Sequence, residues 1–293
     1  MATRQVPSAA VIDIGSNSIR YMEAAVTPQG VAAFYKQLRT TRLAQGLDES
    51  GILSKQSMAR SLEAVVDFVD QACKKKLPVF AYATSAVRDA ANRQEFIGQV
   101  HHCCGIGVTV LSGEEEARCA YLGAVGEMGG GLIDIGGGSA QVIAPGFAQS
   151  YPIGCVRAMD AFARFPYGQA RREIDCWVDR YCKTLPQGIA RWVGVGGTLT
   201  TLGALQAGLT AYDPQVVSRQ KLTQASLEKL LTQLEEMGEE CKIHPLLAQR
   251  HDVILFGAAV AARLMQRIGV EQLEISEADG MEGFLLCCME QRR

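Results

Sequence analysis

The phrase IDIGSNSIR, Ile12 to Arg20, returns as IDIGGGSAQ, Ile133 to Gln141, 121 positions later. An apolar-Asp-apolar-Gly phrase ends a buried strand and turns the chain, so each copy is the corner of a hairpin. Two such corners at this separation point to a fold with two like halves. The surrounding pattern restarts in the same way. AAVIDI (9–14), SIRYMEAAV (18–26) and VAAFYKQL (31–38) read as a three-strand meander, with the turn TPQG between the last two. GLIDI (131–135) and AQVIA (140–144) open the second half with another hairpin.

Helices and further strands follow each hairpin. Ser54 reads as an N-cap, with Met58, Leu62, Val65, Val66 and Val69 on one face behind it. PVFAYAT (78–84) and GVTVL (107–111) are strands flanking a helix at 85–100. Ser112 and Glu115 form a capping box at the next helix. The glycine-rich GAVGEMGGG places a domain boundary near 122–130. Helices at about 157–184, 198 onward, 223–238 and 252–268 then alternate with strands RWVGV (191–195) and LEIS (273–276), and a terminal helix closes the chain. Strands alternating with helices in two halves predict a duplicated α/β fold.

The net charge of −2 gives no support to a general nucleic-acid binder. No apolar run is long enough to span a bilayer. Ten cysteines without CxxC spacing, and no apolar signal segment, suggest reduced, buried thiols in a cytoplasm. HHCC, His101 to Cys104, reads as a helix end rather than a zinc site, because adjacent residues rarely converge on one ion.

At the strand-to-turn corner, Asp points into a cleft. Glycine is expected to turn with φ > 0, bringing successive N–H groups together as an anion nest. One glycine phrase alone is equally a tight turn. Two copies, each with an Asp and a Ser (Ser18 and Ser139), favour binding of a phosphate chain, or of a phosphate with a metal. A third phrase, GVGGTLTTL (194–202), joins a strand to a helix N-terminus and makes another candidate anion site.

These phrases resemble the phosphate and nucleotide loops of the actin, Hsp70 and sugar-kinase superfamily. DIGSNSIR (13–20), ATSAVRDAAN (83–92), SGEEEARCAYLG (112–123), DIGGGS (134–139) and GVGGTLTTL (194–202) are similar, in order and spacing, to blocks of the exopolyphosphatase/guanosine pentaphosphate phosphohydrolase family. QRHDVI (249–254) and GMEGFLL (280–286) resemble its weaker C-terminal blocks. The likeness spans nearly the whole chain and is to the short, two-domain form. It implies two ribonuclease-H-like domains facing a cleft, residues 1–124 with 277–293 and residues 125–276. It also implies Mg2+-dependent hydrolysis of the terminal phosphate of polyphosphate, guanosine pentaphosphate or both, and a homodimer.

The roles follow position by position. Of Glu114, Glu115 and Glu116, the capping box claims Glu115 and the first turn leaves Glu114 solvated. Glu116 matches the family's catalytic glutamate and is expected to activate or position water. Asp13 and Asp134 are expected metal or water ligands, Asp134 also catalytic, with Gln141 as a third ligand. Ser16, Asn17, Ser18, Gly136, Gly137, Gly138 and Ser139 would bind phosphate, as would Gly196, Gly197 and Thr198. Arg20 and Arg88 would neutralise phosphate oxygens, with Arg250 and Arg157 as weaker candidates. Arg118 faces another side of its helix.

Three places depart from the family pattern. Gln141 stands where a glutamate is common, which keeps a carbonyl ligand but loses a charge. Glu282 stands where arginine is usual, and YDPQVVSR (212–219) ends in Ser218 and Arg219 rather than His-Gly. They leave open a phosphate-chain sensor of low activity. A small-molecule kinase of the superfamily is the remaining alternative, disfavoured by SGEEEAR.

Overall fold

A computed structural model describes residues 8–27 and 30–290. Pro28 and Gln29, the middle of the expected TPQG turn, lie outside the described residues. The chain divides into two compact units, Met1–Gly123 with Gly280–Arg293, and Ala124–Asp279.

The first unit opens on strands β1 (Ser8–Ile14), β2 (Ser18–Thr27) and β3 (Gly30–Thr40). Short helix α1 (Leu47–Ser50) and long helix α2 (Lys55–Lys74) follow, then β4 (Val79–Ala83), α3 (Ser85–Asp89), α4 (Arg93–Cys104), β5 (Val108–Val110) and α5 (Gly113–Ala124). The sheet order is β3-β2-β1-β4-β5, antiparallel across the meander and parallel from β1 to β5. Ser54 caps α2 by accepting from the Ser57 amide. The buried face of α2 runs Met58, Ser61, Val65, Phe68 and Ala72. Leu62 and Val66, expected on that face, sit at its margins. The stripe follows the small residues Ser61, Ala64 and Ala72, which let the helix approach the sheet, where Tyr21 stacks on Phe68 at 5.2 Å. Each buried aromatic of this kind contributes about 1.5–3 kcal/mol.

The expected single helix at 85–100 is two, α3 and α4, broken where Ala90 is extended. His101 to Cys104 do end α4, and Gly105 closes it in the left-handed conformation with its N–H on the His101 carbonyl at 2.9 Å. The expectation of buried thiols holds for four of the ten cysteines, Cys119, Cys155, Cys182 and Cys241. Cys73, Cys103 and Cys176 are exposed, and all ten are free.

The second unit repeats the plan with β6 (Gly131–Ile135), β7 (Ala140–Ala144) and β8 (Phe147–Tyr151). Then come α6 (Cys155–Phe162), α7 (Tyr167–Tyr181), β9 (Trp192–Val195), α8 (Gly196–Gln206), α9 (Pro214–Val217), β10 (Lys221–Thr223), α10 (Gln224–Met237), α11 (Ile254–Ile268) and β11 (Gln272–Ile275). The order is β10-β11-β9-β6-β7-β8. A meander β6-β7-β8 again leads into parallel strands, here β6-β9-β11. The expected helix at 157–184 is two, interrupted before Pro166 at the N-cap of α7. Helix α11 is buried along Gly257 to Ala262, so small side chains place it deep in the core. The last helix, α12 (Gly280–Glu290), belongs to the first unit, where Gly283 packs on the Cys119 carbonyl of α5. Among the described residues no helix is long and apolar enough to cross a membrane.

Candidate active site

The two copies of the repeated phrase fold alike. Asp13 pairs across the hairpin with Arg20, and Asp134 with Gln141. The Gly15 amide donates to the Ser18 carbonyl at 3.1 Å, and the Gly136 amide to the Ser139 carbonyl at 3.0 Å. Neither glycine has the positive φ expected of it. Glycine is needed for close approach instead: a Cβ would lie 3.0 Å from the Ser18 oxygen at Gly15 and 3.3 Å from the Ser139 oxygen at Gly136.

In the first loop the side chains of Ser16, Asn17 and Ser18 are buried and turned inward. Ser16 Oγ meets Ser85 Oγ at 2.9 Å, and Asn17 Nδ2 donates to Ser18 Oγ at 3.2 Å. The Ser16 and Asn17 carbonyls accept from Ala44 and Arg42 amides at 2.9 and 2.8 Å. Trans peptide geometry therefore turns the Asn17 and Ser18 N–H groups the other way. The loop offers backbone donors more than hydroxyls. Asn17 Oδ1 is buried and accepts no hydrogen bond among the described residues. Arg20 lies on Asp13, its Nε donating to Oδ2 at 2.7 Å.

The second loop is held by helix α6. Cys155 N–H donates to the Gly136 carbonyl at 3.0 Å and Val156 N–H to that of Gly137 at 2.8 Å. The N–H groups of Gly137 and Gly138 consequently face away from α6, which is the donor arrangement an anion requires. Gly154 makes this docking possible, since a Cβ there would lie 2.2 Å from the Gly137 oxygen. Ser139 and Gln141 are both buried, and Gln141 Nε2 donates to Ser139 Oγ at 2.9 Å and Ser150 Oγ at 3.1 Å.

The third phrase is built differently from the expectation. Gly196 has φ +88, and a Cβ on it would lie 2.4 Å from Asp134 Oδ1. The start of α8 thus carries a resident carboxylate, Asp134, which the helix dipole favours. A Cβ on Gly197 would lie 2.1 Å from Arg250 Nη2, so the guanidinium rests on that glycine. Thr198 is buried, its side chain turned to Gly257 of α11 and bonded to the Cys155 thiol, which burial pushes upward. The structure therefore gathers Asp134, Gly196, Gly197 and Arg250, but gives the Thr198 hydroxyl to the core.

In the first unit, α5 starts with the expected capping box. The Ser112 N–H donates to Glu115 at 2.8 Å and the Glu115 N–H to Ser112 Oγ at 3.2 Å. These bonds hold the Glu115 carboxyl below its ordinary 4.5. Glu114 and Arg118 are exposed. Glu116 is half-buried and meets Arg88, whose Nη1 donates to its Oε2 at 2.8 Å and to the Leu111 carbonyl at 3.0 Å. Two residues expected to act separately are thus one ion pair, beside a pocket of about 360 Å³ lined in part by Arg88, Arg93 and Ser112. Glu282 is buried at the start of α12 and pairs with Lys36 at 2.6 Å. Among the described residues no three His, Cys, Asp or Glu side chains gather as a metal cage.

The Ppx/GppA phosphatase family model matches residues 24–292. The chain belongs to the Ppx/GppA phosphatase family. Exopolyphosphatase 2 of Mycobacterium tuberculosis is 32% identical, over 94% of this chain and 97% of its own length. A guanosine-5'-triphosphate,3'-diphosphate pyrophosphatase of Vibrio vulnificus is 28% identical over 98% of this chain, which spans 60% of that longer relative. The crystal structure of an exopolyphosphatase-like protein aligns with a TM-score of 0.88 at 27% identity, covering 98% of this chain and 100% of the other. The fold is the two-domain, actin-like one of Ppx/GppA proteins.

For a Ppx/GppA chain, some supporting residues were not found from sequence. Ser85, Ser150 and Gly154 position the loops, and only Gly154, a glycine just before a helix, left a signal. Ser150 lies on β8, a strand missed because Phe147–Tyr151 is short and mostly exposed.

Proposed function

We propose that this chain hydrolyses the terminal phosphate of inorganic polyphosphate or guanosine pentaphosphate. The observation that carries the reading is the Arg88–Glu116 pair at the start of α5. Of three consecutive glutamates, one is a cap, one is exposed, and Glu116 alone is held by a guanidinium. The pair fixes the direction of the carboxylate, which in this reading takes a proton from the attacking water as the new P–O bond forms. The old bridging P–O bond breaks, and the shortened chain leaves with its electron pair. The turned-out amides of Gly137 and Gly138 would hold the terminal phosphate, and Arg250 would neutralise the oxygens behind it.

In this reading a magnesium ion is the cofactor, and each unit by itself carries oxygen donors of the kind it takes. Asp13 and Asp134 are hard oxygen ligands, and Asn17 Oδ1 is a buried acceptor with its bonding capacity open. The two serines on Gln141 Nε2 leave its carbonyl as the lobe turned elsewhere. Asp13, Asp134 and Gln141 would hold the ion, which when bound supplies charge neutralisation to phosphate oxygens.

The neutral, buried Gln141 favours a second reading, a phosphate-chain sensor with little turnover. Phosphate release from both substrates, with Mg2+ and with EDTA, separates the two. Release that EDTA abolishes is expected, and no release from either substrate refutes the hydrolase. Glu116→Gln should lower kcat by about 10²–10⁴-fold while polyphosphate binding persists; an active variant removes Glu116 from the role. The same reading extends to a cytoplasmic homodimer, which light scattering on the purified chain checks.

A further inference from the structure

Strands β6 and β9 run parallel, and their pairing ends where Asp134 meets Val195. Beyond that point the chains part. One turns through the corner 136–139 into β7, and the other enters α8 through Gly196 and Gly197. Asp134 lies against Gly196, and Arg250 against Gly197. The ladder of the sheet therefore does not set the spacing between the Gly137 and Gly138 amides and the start of α8.

A contact behind the two loops does. Cys155 is the first residue of α6, and its N–H donates to the Gly136 carbonyl at 3.0 Å. Its thiol is hydrogen-bonded to the Thr198 hydroxyl in the first turn of α8. Both side chains close on Gly257 of α11, where a Cβ would lie 2.8 Å from Thr198 Oγ1 and Cγ2 and 2.9 Å from the Cys155 Cβ. Gly257 is inside a helix, so glycine is needed there for space and not for conformation. Neither neighbour yields easily, because Thr198 is branched at Cβ and stiff, and the Cys155 atom is one bond from the backbone. Both residues are 1% exposed, so they hold the loops from behind and meet no ligand.

The sequence of contacts is continuous. Gly257 seats Thr198 and Cys155, Thr198 fixes the start of α8, and Cys155 fixes the corner through its own amide. Preorganised donors serve a reaction only when held to within about 0.5 Å. A misplacement of about 1 Å, made far from the chemistry, costs about 10²-fold in rate.

We propose that Cys155, Thr198 and Gly257 form a positioning clasp that fixes the corner 136–139 against the start of α8 and so sets turnover rather than phosphate affinity. This role rests on the hydrolase reading for what the two loops hold.

Polyphosphate hydrolysis and amide hydrogen exchange by NMR, read on the same full-length variants, test it. Thr198→Val keeps the shape and removes the hydroxyl. Its kcat should fall about tenfold, with KM within about twofold. Exchange should quicken at the Gly136, Cys155 and Val156 amides, which carry the bonds of the corner, and not along α11. Thr198→Ser keeps the hydroxyl and should return both kcat and exchange close to the parent. Gly257→Ala should lower kcat by about 10²-fold, and adding Thr198→Val to it should cost less than the product of the two, because both open one clasp. Should Gly257→Ala fail to fold, the Val and Ser variants decide alone. Parental kcat and exchange in Thr198→Val, equal losses in the Val and Ser variants, or a raised KM with kcat unchanged overturns the clasp. No phosphate release by the parent overturns the hydrolase reading, while the exchange comparison of the Val and Ser variants still decides whether the clasp holds the corner.

Discussion

The hairpins β1–β2 and β6–β7 share backbone, register and turn, but differ in the residue facing the aspartate. In the first, Arg20 lies on Asp13. In the second, the cross-strand neighbour of Asp134 is Gln141, and Gln141 gives its amide to two serines. The first carboxylate is neutralised inside its own hairpin. The second has a neutral neighbour there and lies against the start of α8 instead. The shape is the same and the surroundings of the charge differ: one aspartate meets an arginine inside its own hairpin, and the other lies against Gly196 at the start of α8.

The strongest way to break this contrast is to neutralise each aspartate in turn. Asp134→Asn should cut kcat by about 10²–10³-fold, as loss of a preorganised electrostatic group does, with little change in stability. Asp13→Asn should lower kcat less and stability more, because it leaves Arg20 facing an amide. Paired measurements of kcat and urea midpoint decide it. Equal effects of the two variants on both quantities end the comparison.

The next test transplants the difference. Arg20→Gln installs the second hairpin's residue in the first and leaves Asp13, which is 4% exposed, without its guanidinium. Breaking a buried pair costs about 3–5 kcal/mol. Arg20 is itself partly exposed, so about 2 kcal/mol is expected in urea unfolding. A variant as stable as the parent shows that Asp13 does not depend on the pair.

The reverse change is smaller. Gln141→Glu puts a carboxylate beside Asp134, where like charges across a strand pair destabilise by up to about 1 kcal/mol. In EDTA the variant should melt lower than the parent, and Mg2+ should restore it at a lower concentration than wild type needs for activity. If the Mg2+ dependence does not move, Gln141 is not a ligand.

The sequence shows the hairpins because their signal is local: an Asp, a glycine and a serine at fixed spacing twice over. The capping box was legible for the same reason, Ser112 and Glu115 being three residues apart. The Arg88–Glu116 pair was not, since 28 residues separate its members and only packing of α3 against the start of α5 joins them. Strand β10 escaped because three residues become a strand only through pairing with β11. The Thr198 hydroxyl was misread because a helix-start threonine looks alike whether it meets a ligand or, as here, Gly257 of α11, 59 residues on.

The smallest prediction separates carboxylates that serve the fold from those left to chemistry on a single helix. Glu115 is bound by the Ser112 amide, and its pKa is lowered in the folded chain. The folded state therefore binds its proton less readily than the unfolded state. The contribution is complete above the ordinary 4.5 and fades as pH falls through the lowered value. Gln at this position keeps a capping acceptor but cannot titrate. Glu115→Gln should cost about 0.5 kcal/mol at pH 7, and the gap from wild type should close as the pH is taken below 4.5, read by urea unfolding at each pH. Turnover at pH 7 should stay within twofold, because Glu116 and Arg88 remain in place. A large loss of kcat without loss of stability would move the chemistry from Glu116 to its neighbour, and with it the division between structural and reactive charge.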